Sequence, residues 1–165
     1  MANGIIIGDT KNKIIKEFIK DEDIVLAIGD ENITSTSNAE KLIGTHIFNY
    51  NQNPNTINTV ATFITVQVQI PKAYTLNYAY VEPAIEIWIF SHEKHMVVDN
   101  VPKINRNRND YLSELIDKKL NGRTDFGLGE LILESNVETS LQKDYLCRQM
   151  IFRCKDLNKS LCNRG

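Results

Sequence analysis

The residues of this chain whose types and spacing can support chemistry are three histidines, three cysteines, a glycine pair and scattered carboxylates. His92, Glu93 and His95 stand together, with His46 as the remaining histidine. An H-x-x-H pair at a strand end can seat zinc when a third ligand arrives from elsewhere. The metalloprotease arrangement needs H-E-x-x-H on a helix, and this segment has neither the extra residue nor the helix. The expectation is a solvated turn after a strand, with no metal. Cys147, Cys154 and Cys162 are odd in number and lie seven and eight residues apart, which fits neither a disulfide framework nor the C-x-x-C pairs of zinc and redox sites. On one regular strand Cys147 and Cys154 point to opposite faces, so they read as reduced thiols, with Cys154 joining Met150 and Phe152 in the core.

Phe126-Gly127-Leu128-Gly129 contains a G-x-G, but it precedes a strand-like run instead of linking a strand to a helix, so phosphate binding is not expected. A chain reversal is. Glu130 and Glu134, taken with Asp110, Glu114 and Asp117, resemble the paired acids of a nuclease only superficially. The two glutamates flank Ile132 on what reads as the outward face of a strand, a solvated or interface surface. Arg106, Arg108 and Arg123 form a modest basic group without interleaved aromatics, a poor platform for nucleic acid. Neither an H-x-H-x-D-H nor a P-D…E-x-K pattern occurs, and no enzymatic activity and no cofactor is expected.

Lys plus Arg number 19 against 21 for Asp plus Glu, a net charge of -2, so nothing in the overall charge favours duplex DNA or an anionic membrane. The start, MANGIIIGDTKNK, has neither a basic region nor a long apolar run. It suggests neither a signal peptide nor a membrane span, and a chain that remains in the cytoplasm where it is made. At 165 residues the chain fits one domain, 1–165, with 159–165 as a flexible tail.

The elements that must position these residues follow from periodicity. Asp9 or Thr10 can cap a helix with the stripe Ile14, Ile15, Phe18 and Ile19, and with Lys13, Lys16, Glu17 and Lys20 opposite. Asp21, Glu22 and Asp23 suit the N-terminus of a second short helix, Ile24 to Ile28, closed by Gly29. Asp30 to Glu40 reads as a polar surface loop. Ile43 to Tyr50 is a possible strand. Val60 to Ile70 alternates, with Val60, Ile64, Val66, Val68 and Ile70 inward and Thr65, Gln67 and Gln69 wet. Lys72 to Tyr80 reads as a loop after Pro71. Ile85, Ile87 and Ile89 alternate with Glu86, Trp88 and Phe90, apolar on both faces over part of the strand, so it is either central or meets another subunit. Tyr111, Leu112, Leu115, Ile116 and Leu120 form a helix capped by Asn109 or Asp110, with Gly122 just past its end. Leu128 to Ser135 and Leu146 to Cys154 read as strands joined by the polar stretch Asn136 to Asp144. The fold class is α+β: an N-terminal helix or helix pair, a mixed or antiparallel sheet of about five strands and a C-terminal helix on it, in the order α-β-β-β-α-β-β.

That order is similar to the tail-terminator proteins of long-tailed bacteriophages, small subunits that form a ring on the last disc of the tail tube. The stretches LIGTHIFNYNQNP, TFITVQVQIPK, IEIWIFSHEKHM, RNDYLSELIDKKLNGRTDFGLGELILESN and CRQMIFRCKDLN also resemble phage and prophage neck proteins of low-GC Gram-positive hosts. The resemblance spans Leu42 to Asn158 and transfers no catalytic residue. It implies a structural virion protein of the neck, in a self-associated ring, hexameric as tail tubes are. Its neighbours would be the tail tube protein and a head-side connector or stopper protein, with DNA only as passing cargo and no membrane. Another neck protein, such as a head-completion, stopper or adaptor subunit, is the alternative, followed by a small metal-dependent nucleic-acid-processing enzyme. On the ring reading, Trp88, Phe90, Glu130, Ile132 and Glu134 are the residues expected at a subunit contact or facing the channel.

Overall fold

The computed structural model describes residues 3–52, 59–70, 80–140 and 144–157. The expected loop over 72–79, the tail 159–165 and Cys162 lie outside the described residues.

Helix α1 spans Asn3–Lys20, a full turn and more upstream of the expected start. Asp9 and Thr10 are therefore interior, not capping. Ile6, Thr10, Ile14 and Phe18 recur every four residues and all are buried, so the short side chain of Thr10 continues the apolar stripe, its hydroxyl donating to the carbonyl of Phe126 at 3.2 Å. Glycines at 4 and 8 weaken the helical signal of this first part. Helix α2, Glu22–Ile28, follows the sequence closely: Asp21 accepts from the Ile24 amide as N-cap, and Gly29 closes the helix at φ +75. A 3-10 helix over Thr36–Leu42 occupies the end of the expected surface loop, burying Ala39 and Leu42.

The main sheet has the strand order β1-β2-β4-β6-β5, with β1 Ile47–Phe48, β2 Thr62–Gln69, β4 Ala84–His92, β5 Ile132–Ser140 and β6 Tyr145–Arg153. β1 runs parallel to β2 and the other neighbours are antiparallel. Strands β3 (Tyr80–Val81) and β7 (Asp156–Leu157) pair as a separate two-stranded sheet. The α+β class stands as expected. The possible strand Ile43 to Tyr50 contracts to two residues, and β5 lies four residues later than expected. Leu128 and Leu131 are buried in the turn-rich stretch before it. The strand itself uses the polar run Ser135 to Ser140, because an edge strand needs only one neighbour and can be wet on both faces.

Helix α3, Arg108–Leu120, packs on β4 and β6. Its N-cap is Asn107, whose side chain accepts from the Asp110 amide at 2.8 Å. Asn109 and Asp110 are therefore inside the first turn, while Gly122, at φ +79, sits just beyond the C-cap as expected. One face of the sheet, bearing Ile64, Val66, Ile85, Ile87, Met150 and Phe152, forms a single core with all three helices. In α3, Leu112, Ile116 and Leu120 are fully enclosed and Leu115 half-buried. Ile116→Ala is expected to lose about 2–5 kcal/mol through lost transfer energy and the cavity left behind. Lys118→Ala, an exposed member of an i,i+4 pair with Glu114, changes about 0.5 kcal/mol or less; chemical denaturation of the two variants checks the contrast.

Candidate functional site

The sheet face opposite the helices is open only in part: Glu86, Trp88, Gln149 and Ile151 are half-buried on it, while Thr65, Phe90 and Cys147 are enclosed. Strand β4 is central, between β2 and β6, which resolves the two-faced pattern of Ile85 to Phe90: one face joins the main core, the other lies on this second side. The second side is apolar at one end, where Phe48, Ala61, Phe63, Phe90, Tyr145 and Cys147 form a cluster with Trp88 packed on it. The expected wet face of β2 is corrected here, since Phe63 and Thr65 are buried and only Gln69 is exposed. Val60 falls outside the strand and is exposed.

The five residues expected at a contact surface separate. Phe90 is 2 % exposed and stacks with Trp88, ring centroids 5.8 Å apart. It is a buried residue of its own chain, not a surface offered to a neighbour. Trp88 is half-buried above it, in a cross-strand row with Gln149 and Val137. Ile132 and Val137 are 51 % and 53 % exposed on edge strand β5. Between them a bulge at Leu133/Ser135 breaks the alternation, so Val137, not a residue of Glu134's parity, shares the face of Ile132. Glu134, in the bulge, pairs with Arg153 at 2.5 Å. Glu130 is exposed but precedes β5, so it does not flank Ile132 within a strand. Ile132, Glu134 and Arg153 border a shallow pocket with Glu82, Cys154 and Lys155. At the other end of the same side, Phe48, Tyr50 and Phe63 line a cleft of about 420 Å³ with His46 at its margin.

The histidines converge differently from their sequence grouping. His92 caps the 3-10 turn Glu93–His95 by accepting from the Lys94 amide. His46 and His95, far apart in sequence, both meet Thr62: one ring nitrogen of His46 lies 2.8 Å from the Thr62 carbonyl and the other 3.0 Å from Asp30, while Nδ1 of His95 lies 2.9 Å from the Thr62 hydroxyl. That hydroxyl is also bonded to Ser91. Thr62 and Ser91 are fully enclosed, and the Ser–Thr–His chain ties β2 and β4 to the 93–95 turn. Among the described residues no group of three or more His, Cys, Asp or Glu is placed to hold a metal ion. Cys147 and Cys154 are buried on opposite sides of the sheet, as their spacing requires.

Burial, and then the charge of Arg108, hold the His95 imidazole below its ordinary 6.5; the Gly29 backbone and Asp99 oppose this, and His46 adds to it. The folded state thus takes up this proton less readily than the unfolded chain. Its contribution to stability is full above about pH 6.5 and is lost as pH falls through the unfolded pKa toward the lower folded one. Thermal melting between pH 7.5 and 5 is expected to fall more steeply for the wild type than for His95→Gln.

The arginines do not form a common surface. Arg108 is 1 % exposed, Arg106 pairs with Glu114, and Arg123 pairs with Glu17 and Asp125 while lying 4.5 Å over the Phe126 ring. The basic group expected from sequence is therefore three separate structural contacts. Periodicity did not reveal the role of Arg108; its position at the start of an amphipathic helix looked like that of an ordinary surface cation. Among the described residues no helix is long and apolar enough to cross a membrane.

No curated protein matches the sequence. The sequence model of the YomW family matches residues 12–154, a span that takes in the second half of α1, both other helices and the whole main sheet. With that extent of match, the chain belongs to the YomW family, a phage-derived family.

Proposed function

We propose that this protein is a non-catalytic structural subunit of the phage neck, a tail terminator. In this reading it forms a ring, sixfold in keeping with the tube, at the head-proximal end of the tail tube, ends tube polymerisation and presents a docking face to the head-side connector. The observation that carries the proposal is the second side of the sheet: Trp88, Ile151, Val137 and Ile132 stand half-buried or exposed on it among Glu86, Gln149 and Ser135, while the helices pack the other face over β2, β4 and β6. Faces of this kind mark association surfaces. The phage-derived family supports a virion setting, and a net charge of -2 suits a channel that DNA passes without adhering.

Cryo-electron microscopy of particles, together with mass measurement of the purified protein with and without tail tubes, tests this directly. A symmetric ring at the tube end and overlong tails in its absence are expected. A single copy per particle, or tails of normal length without the protein, would overturn it. A ring found instead between the connector and the terminator would assign the chain to the head-completion or stopper class.

A further inference from the structure

The open sheet face also carries a carboxylate with no cation beside it among the described residues. Glu86 lies in the cross-strand row Gln67, Glu86, Ile151, Ser135. One of its oxygens accepts from the indole Nε1 of Trp88 at 2.8 Å and from the side-chain amide of Gln149; the other accepts from the Gln69 amide at 2.8 Å. All three donors are neutral. Among the described residues no lysine or arginine pairs with Glu86, and Arg153, one row away, is taken by Glu134. The three donors fix the position of the carboxylate without cancelling its charge. A fixed, half-buried carboxylate bonded to an indole is suited to receive an ammonium group.

The opposite side of the molecule bears the complementary charge. On α1, Lys13 and Lys16 are exposed one turn apart, and neither forms an ion pair among the described residues. Lys20 extends the row, 3.9 Å from Glu17. Two copies meeting open face to open face would bring Glu86 no free cation among the described residues, because Arg153 on that face is held by Glu134, which disfavours a two-fold contact. A closed ring of more than two copies needs two different surfaces, one on each flank of the subunit.

We propose that the Glu86–Trp88 site receives the lysines of α1, Lys13 and Lys16, from a neighbouring copy. Subunits then join head to tail, the helical side of one against the open sheet face of the next. The proposal rests on the ring reading and assigns its two contact surfaces.

Trp88 is the only tryptophan of the chain, so the change in indole emission over that of tail tubes alone, compared with a Trp88→Phe control, reports on this site. With the full-length protein assembling on purified tail tubes, Trp88 emission is expected to shift to the blue and to become shielded from acrylamide. Glu86→Lys and Lys13→Glu/Lys16→Glu are each expected to weaken assembly about tenfold or more, and combining them to recover most of the loss. Glu86→Gln, which removes the charge and keeps the shape, should weaken assembly with an unchanged melting temperature, covering the case in which Glu86→Lys fails to fold. A ring that forms with Trp88 equally quenched before and after, or a combined variant no better than its parents, would overturn the proposal and leave the ring standing. Absence of any oligomer on tail tubes would remove both.

Discussion

Replacing Arg108 by methionine is expected to destabilise the fold by about 3–5 kcal/mol, the range seen when one partner of a buried charged network is removed. The guanidinium is enclosed and spends its donors on three backbone carbonyls: Nη1 to Ala27 and Nε to His95, both at 2.6 Å, and Nη2 to Val97 at 2.7 Å. Those carbonyls belong to the end of α2 and to the segment leading into α3, so one side chain closes the helical layer from both ends. Among the described residues the carboxylate paired with it is Asp99, 3.9 Å away and itself exposed. Burial accordingly lowers the pKa of Arg108, partly offset by Asp99, and the backbone dipoles do the stabilising. Methionine fills a similar volume but leaves three acceptors dry. With roughly 2–4 °C per kcal/mol for a chain of this size, the melting temperature should fall by about 10 °C. Arg108→Lys should recover only part, because an ammonium cannot span three divergent acceptors. Gly29 belongs to the same construction: a Cβ there would overlap Nη1 of Arg108, and φ is +75. Gly29→Ala should therefore destabilise in the wild type and cost less in the Arg108→Met background. Full additivity of the two, measured by denaturant titration, would show that the arginine and the glycine are not coupled.

Ile132→Lys combined with Val137→Lys should have the opposite profile, abolishing assembly while leaving the fold in place. Both side chains are about half exposed on the edge strand, and substitutions at such positions change stability by about 0.5 kcal/mol or less. Lysine on an edge strand is also what proteins use to prevent association through it. Within a face that joins two subunits, each added ammonium must shed its water before the surfaces can close. Ring formation is therefore expected to fall below detection by mass photometry, with melting shifted by no more than about 4 °C. Particles carrying both lysines, with normal tail length and normal infectivity, would show that this face is only solvated surface. Trp88→Ser offers a graded comparison: its ring covers Phe90, so some stability is lost together with assembly, and equal loss of both would make Trp88 a core residue only.

The amino-acid sequence by itself determined the class and much of the scaffold. Repeats of apolar residues in α1 and α3, the acidic cap and Gly29 around α2, and the alternation in β2 and β4 are local signals, because each element must bury one stripe or face regardless of its neighbours. Cys147 and Cys154 could likewise be assigned to opposite faces from their spacing alone. Tertiary structure decided the rest where burial depends on partners distant in the chain. Phe90 looked available for another subunit until β2 and β6 flanked β4 and placed it under Trp88. Arg108 looked like a surface cation until the ends of α2 and the 93–97 segment closed around it, and His46 met His95 only because β2 brings Thr62 between them. The edge strand β5 was not legible at its true position, because a strand paired on one side carries polar residues on both faces and has no period to detect. Glu86 acquired its three donors from β2, β4 and β6 together, an arrangement that exists only once those strands are in register.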